Sequence, residues 1–351
     1  MKIAIHPDRT VLKDYVESYS DKWAKFLQNR KIEIKWINLY EQNAMHQVKN
    51  CDGVMWRHRH TQKDRLKAYK ILHTIERYLK IPVFPTHDTA WHYDDKIAQF
   101  YIFKALNVPM PDTWVFWNQE DAKKWAEETR YPKIFKLASG ASAENVRKIT
   151  QSQEAINIIC LMFQRGIFSG GLNLGLRKES MLSRIQQACK LMLNENKKFR
   201  MANSGIFEKG YAYFQEFIPD NEYDTRIVVI GNRAFGYRRY NRPNDFRASG
   251  SGIRDFNPEG VRKDCLKVAF ETARKLNAQT VGFDFLMKQN KPVVTEITYA
   301  FTDWPVSKCP GHWTEDLEWA TGSMWPQEAQ VEDFIEYIQK LQNPLPSSSA
   351  K

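Results

Sequence analysis

The sequence predicts a mixed fold, α/β at its N-terminus and α+β beyond it, and three observations carry that prediction. Through residue 110, short apolar runs alternate with longer segments of helical spacing, the pattern of a parallel sheet crossed by helices. From residue 211 on, β-branched and aromatic runs follow one another at short spacing, joined by turn residues, as hairpins require. The chain is 351 residues long, 42% hydrophobic and 26% charged, enough for two or three domains with a sizeable core.

The bulk numbers also exclude classes. No apolar run approaches the roughly 18 residues of a membrane-spanning helix, and the start, MKIAIHPDRT, lacks the apolar centre of a signal peptide. Five scattered cysteines form no disulfide or zinc pattern, which favours free thiols in a reducing cytoplasm. A net charge of +11 favours an anionic partner. The positive charge is spread without an RNA-binding signature, so nucleic acid is not expected.

In order along the chain, residues 2–6, 32–38, 52–56 and 81–85 read as strands, and 14–28 and 61–78 as helices. There is no GxGxxG, so a dinucleotide site is not supported. His58 and His60 would share a strand face. With arginines rather than carboxylates beside them, they read as a basic rim and not as a metal site.

A helix follows Asp94-Asp95-Lys96 and ends before Pro109 and Pro111, a plausible domain joint. Residues 113–116 and 133–137 read as strands around a helix at 119–129. Lys136 stands inside the second, apolar strand, where a lysine needs an anion to justify burial. The small residues from Ala138 to Ala143, with Gly140 and Ser142 among them, suit a loop whose backbone N–H groups approach phosphate, or an ordinary turn. Residues 152–163 read as a helix and 178–193 as a basic amphipathic helix, packed on its own domain or lying on a membrane surface.

Residues 211–217, 224–230 and 234–239 read as a three-stranded meander turning at Gly231-Asn232. Arg238, Arg239, Arg242 and Arg247 follow closely, without evident acidic partners. They suit a polyanion clamp or a solvated loop. After a helix at 262–276, strands 281–287 and 293–298 form a hairpin. A three-residue turn, Gln289-Asn290-Lys291, would place Asp284 opposite Glu296, with Thr298 on the same face and Phe283, Phe285, Val293 and Ile297 on the other. Two carboxylates so placed repel unless a cation lies between them. Oxygen ligands at that spacing suit Mg²⁺, the alternative being a solvated acidic pair. Trp304, Trp313, Trp319 and Trp325 read as one cluster, a packed edge or lid or a stacking surface for a sugar. Residues 344–351 read as a disordered tail.

Several short motifs then fall in one family's order: Asp95-Lys96, residues 132–146, Gln215-Glu216-Phe217-Ile218, Asp224-Thr225-Arg226, Asp245-Phe246-Arg247, and Gly282-Phe283-Asp284 with Glu296-Ile297-Thr298. From about residue 85 to 300 the chain resembles the ATP-grasp superfamily of carboxylate–amine ligases, in the branch similar to the ribosomal-protein glutamate ligases. The resemblance implies an ATP-grasp fold behind a parallel α/β pre-ATP-grasp domain. Its expected division is 1–110, a central subdomain with a long insertion at 111–214, a C-terminal subdomain at 215–343, and the tail.

Position by position, the resemblance implies that Lys96 and Lys136 contact ATP phosphates under the loop holding Gly140 and Ser142. Glu216, with the backbone of Phe217 and Ile218, would read the adenine, and Asp224 would face the ribose or an adjacent metal-bound site. Arg247, with Arg226 and Arg239, would stabilise the transferring phosphoryl group, and Asp284, Glu296 and Thr298 would hold Mg²⁺. This chain has Thr298 where the family usually has Asn. Its spacing from Glu216 to Asp224 is one residue shorter, and the region after Val146 is longer.

The chemistry implied is an ATP-dependent C–N ligation through an acyl phosphate, joining an anionic carboxylate substrate to an amine. Charge and tryptophan content suggest an acidic sugar, as in capsule or O-antigen assembly, and an amino acid or peptide is the near rival. Kinases of the same fold, acting on hydroxyls, and a non-catalytic nucleotide sensor are the other readings.

Overall fold

The computed structural model describes residues 1–8, 17–140, 146–169, 207–243, 245–248 and 251–343. Its first four strands, β1 (Lys2–Ile5), β2 (Glu33–Trp36), β3 (Gly53–Met55) and β4 (Val83–Phe84), form a parallel sheet in the order β2-β1-β3-β4. Alternation along β1 sends Ile3 and Ile5 to one face and Ala4 to the other. Ile3 and Ile5 pack with Trp23 and Leu27 of α1 (Tyr19–Asn29) and with Phe334 and Ile338 of the C-terminal helix. Ala4 packs with Val48 of α2 (Ala44–Val48) and Leu72 of α3 (Gln62–Thr74). A Cβ on Gly53 would stand 2.7 Å from Ile338 Cδ1, so glycine lets the last helix close on the first sheet.

Helix α1 starts later than residue 14 because Ser18 caps it, accepting from the Asp21 N–H while Asp21 reaches back to the Ser18 N–H. A π-helical turn, Ile75–Leu79, extends α3. Helices α2 and α4 (His87–Ala90) are too short for periodicity to reveal. Helix α5 (Lys96–Leu106) carries the Asp95 cap, whose Oδ1 accepts from the N–H groups of Ile97 and Ala98.

The second sheet is antiparallel, ordered β5-β10-β6-β7, from β5 (Thr113–Phe116), β6 (Lys133–Lys136), β7 (Val146–Ile149) and β10 (Ala212–Glu216). Helices α6 (Gln119–Glu128) and α7 (Ser152–Gln164) cover it, packing Ala122, Ala126, Ile158 and Met162 on Phe135 and Phe214. Short strands β8 (Ile167–Phe168) and β9 (Phe207–Glu208) pair beside it. The expected meander is therefore split: β10 lies between β5 and β6, and does not pair with the strands that follow it. The chain crosses between sheets at Phe217–Glu222, which a count of strands cannot reveal.

The third sheet holds β11 (Tyr223–Ile230), β12 (Arg233–Tyr240), β14 (Thr280–Lys288), β15 (Lys291–Thr298), β16 (Gly311–Thr314) and β17 (Trp319–Thr321), with β13 (Arg254–Asp255) pairing off β12. Helix α8 (Lys263–Lys275) lays Leu266, Ala269 and Phe270 on Ile227, Val281 and Phe283. Helices α9 (Asp303–Ser307) and α10 (Pro326–Gln342) complete the chain.

The β14–β15 hairpin pairs Asp284 with Glu296, as expected, by a different route. Its turn has two residues, Gln289 and Asn290, at φ 49° and 63°, the signature of a tight hairpin turn. Phe285 pairs with Val294 and Asp284 with Glu296, so Thr295 is an extra, bulged residue that restores the pairing. The bulge also changes the core: Val294, not Val293, joins Phe283, Phe285 and Ile297.

The tryptophans do not form one cluster. Trp313 and Trp319 meet edge to face at 4.7 Å, while Trp325 lies under Lys22 and Trp304 under Arg254. Among the described residues no helix is long and apolar enough to cross a membrane. The segment at 178–193 and the tail at 344–351 lie outside the described residues, as does Ser142.

Candidate functional site

Two cavities meet at the β14–β15 hairpin. One, of about 180 Å³, lies between the second and third sheets and is lined by Lys96, Lys136, Gly140, Glu216, Phe217, Ile218, Asp224, Phe246 and Arg247. The other, of about 290 Å³, lies between the third sheet and the N-terminal domain and is lined by His60, Asp94, Arg226, Arg239, Arg254 and Thr298. Asp284, Glu296 and Ala248 line both. Apart from Ser142, every site residue that the family resemblance implies borders one cavity or the other, while Arg238, Arg242 and His58 line neither.

Sheet register explains the arrangement. Arg226 is opposite Asp284, Asp284 opposite Glu296, and Asp224 opposite Arg239, so opposite and like charges share one face of four neighbouring strands. Arg226 donates to both oxygens of Asp284. Arg239 Nη2 lies 2.6 Å from Asp224 Oδ2 and 2.8 Å from Asp284 Oδ2, bridging the two acids. Burial alone would lift the Asp284 carboxyl, but Arg226 and Arg239 outweigh it and hold it below its ordinary value.

The lysines differ. Lys96 Nζ donates to Gly140 O at 3.1 Å and sits 3.2 Å from Glu296 Oε1. Burial disfavours its charge, yet Glu296 and Asp94 raise its pKa overall. Lys136 is buried with a neutral partner, Gln215 Oε1 at 2.7 Å, in place of the anion its burial suggested. Burial pushes it down to about 8.

Several expectations need correction. The arginine run does have acidic partners: Arg238 pairs with Asp255, Arg239 with Asp224 and Asp284, and Arg247 with Asp245 at 2.6 Å. Those acids are brought in by strand pairing and a tight loop, which the linear spacing hides. Asp224 has both oxygens on Arg239, and Glu216 is tied to Lys288 at 2.6 Å. The presumed histidine rim also divides. His60 lines the larger cavity, but His58 is buried among Trp56, Tyr69, Tyr93 and Tyr299, and burial pushes it down to about 4.

No protein-family model matches the sequence, and comparison with curated proteins returns no match. Solved structures do match over nearly the whole chain. A RimK-domain ATP-grasp protein of Sphaerobacter thermophilus is 14% identical, with a TM-score of 0.55, over 96% of this chain and 100% of its own. D-Alanine–D-alanine ligase of Bacillus anthracis is 13% identical, with a TM-score of 0.54, over 97% and 98%. The macrocyclase MdnC of Microcystis aeruginosa, solved with precursor peptide MdnA, is 13% identical, with a TM-score of 0.55, over 96% and 100%. The chain has the ATP-grasp fold.

Within the ATP-grasp fold, Mg²⁺ can be tested against the donors present. Among the described residues no group of three or more His, Cys, Asp or Glu could hold a metal alone. Asp284, Glu296 and Thr298 nevertheless offer only oxygens, and a cation that keeps waters and takes phosphate ligands needs no more protein than two carboxylates. Arg226 now occupies both oxygens of Asp284, Arg239 shares one of them and Lys96 pairs with Glu296, so Mg²⁺ would take the place of these cations on the acids rather than sit among them. The donor set fits.

Two buried acids escaped the sequence reading. Glu208 accepts from the N–H groups of Ala138 (2.9 Å) and Ser139 (3.0 Å), fixing the root of the loop after β6. Asp94, at φ 54°, accepts from the Gly140 N–H at 2.8 Å. Both are far in sequence from what they hold. Only the DD doublet before Lys96 offered a signal.

Proposed function

We propose that this protein is an ATP-dependent carboxylate–amine ligase, with ATP in the smaller cavity and the joined substrates in the larger. The observation that carries the reading is that the two cavities meet at one carboxylate pair, Asp284 and Glu296, ringed by Lys96, Arg226 and Arg239. Glu216, Phe217, Ile218 and Asp224 would surround the nucleoside, and Lys96, Lys136 and the loop bearing Gly140 and Ser142 its phosphates.

In the first step a substrate carboxylate oxygen attacks the γ-phosphorus, the bond to the β–γ bridging oxygen breaks, and ADP leaves. The amine nitrogen then attacks the acyl carbon, the acyl–oxygen bond breaks, phosphate leaves, and one N–H proton is lost to water. Two anions must meet in the first step, so fixed positive charge in a dry site matters most. Lys96, Arg226, Arg239 and Arg247, oriented by their acidic neighbours, and Lys136, oriented by Gln215, supply it and therefore need little reorganisation. Mg²⁺ held by Asp284, Glu296 and Thr298 would add charge neutralisation on the phosphate oxygens.

The structural neighbours favour an amino acid or peptide over a sugar acid as substrate. One is D-alanine–D-alanine ligase and another was solved with a precursor peptide. The test is ADP release from ATP and Mg²⁺ with pooled amino acids and peptides, beside pooled sugar acids. Turnover with sugar acids alone would reverse the substrate preference and leave the ligase reading standing.

A further inference from the structure

The larger cavity holds three arginines in different situations. Arg226 is answered by Asp284, and Arg239 by Asp224 and Asp284. Arg254 has no acidic partner among the described residues. Its Nη1 donates to Gly252 O at 3.2 Å, its guanidinium lies 4.6 Å from the Trp304 ring centroid, and its Nε is buried without any hydrogen-bond partner. Strand pairing sharpens the problem, because Arg254 stands directly opposite Arg239 in the β12–β13 ladder. Like charges so placed are destabilising, and a buried guanidinium N–H with no acceptor adds its own cost. The Trp304 ring packs against the guanidinium, and Arg254 lines the cavity beside it.

We propose that Arg254, seated on Trp304, is the specificity-determining anchor for an oxyanion, a carboxylate or a phosphate, carried by a substrate at the end away from its reacting atom. The inference rests on the ligase reading for its place in turnover, but the anion site itself does not depend on that reading. The reacting carboxylate belongs at Asp284 and Glu296, where the cavities join. Arg254 lines only the larger cavity, so the group it holds is a second one. A neutral amide in that position would leave the guanidinium unanswered.

The test uses the full chain and two readouts. Inorganic phosphate is titrated by calorimetry into protein saturated with a non-hydrolysable ATP analogue and Mg²⁺, for wild type, Arg254→Gln and Arg254→Lys. Wild type should bind, Arg254→Gln should bind at least tenfold more weakly, and Arg254→Lys should fall between. The lysine variant also guards against a folding defect. ADP release is then compared between pooled amino acids and dicarboxylates and the corresponding carboxamides. The free acids should be preferred, and Arg254→Gln should raise KM much more than it lowers kcat. Larger gains with phosphorylated than with carboxylate compounds would identify phosphate as the source. Equal phosphate binding by wild type and Arg254→Gln, or no binding by either, would overturn the proposal. Failure of the ligase reading would appear separately, as phosphate binding at Arg254 without acid- and amine-dependent ADP release.

Discussion

Asp284 and Glu296 face each other across the β14–β15 hairpin because Thr295 is bulged out of the ladder, offsetting a turn one residue shorter than the sequence suggests. Two acids are thereby placed on the wall between two cavities, and the basic side chains around them become intelligible as their counter-charges.

Glu296 is a third exposed and is the counter-charge of the buried Lys96. Glu296→Gln should therefore melt somewhat below the wild-type temperature, as Lys96 loses this ion pair and keeps Asp94 nearby, while losing about 10²–10³-fold in Mg²⁺-dependent ADP release, the usual scale for removing one transition-state contact. Thermal melts beside turnover assays separate the two effects.

Lys136 gives a pH signature. Its folded pKa of about 8 lies below the ordinary 10.5, so its positive charge is lost as pH rises through 8 in the free protein. The kcat/KM for ATP should decline above that pH, and Lys136→Arg, which does not titrate, should flatten the profile. The stability sign runs the other way. Between about 8 and 10.5 the unfolded chain binds a proton that the folded chain does not, so this group makes stability rise with pH.

Arg239 joins two buried acids, Asp224 and Asp284. Arg239→Met should destabilise by about 3–5 kcal/mol, because uncompensated buried charge remains. Urea unfolding with an unchanged midpoint would show that the bridge is dispensable.

Glu208 holds the Ala138 and Ser139 N–H groups. Glu208→Ala leaves the Ser139 N–H without that acceptor, at about 1–3 kcal/mol, while the Ala138 N–H keeps the Tyr211 hydroxyl at 2.8 Å. It should also raise the KM for ATP more than it lowers kcat, since the loop root is loosened and the reacting groups are not touched. Steady-state kinetics over a range of ATP concentrations would check this.

Much of the site was legible because strand alternation is local. The β-branched runs around Asp284 and Glu296 fix which side chains share a face, and short motifs name the lysines. What was not legible depends on pairing between distant strands. Nothing in the run from Arg238 to Arg247 announces Asp224, Asp255 or Asp284 as partners. The Thr295 bulge leaves no mark in composition, and the passage of β10 into another sheet is set by packing of Phe214 on Phe135. Glu208 was hidden for the same reason: it acts on a loop some 70 residues earlier in the chain.

The most direct measurement of the central claim is Mg²⁺-dependent ADP release with N-blocked amino-acid and peptide pools as the acids, each with and without an added amine. The account predicts release that needs both an acid and an amine, forms an amide product and is lost in Glu296→Gln. Release that proceeds without any amine and leaves a stable phosphorylated product would contradict it.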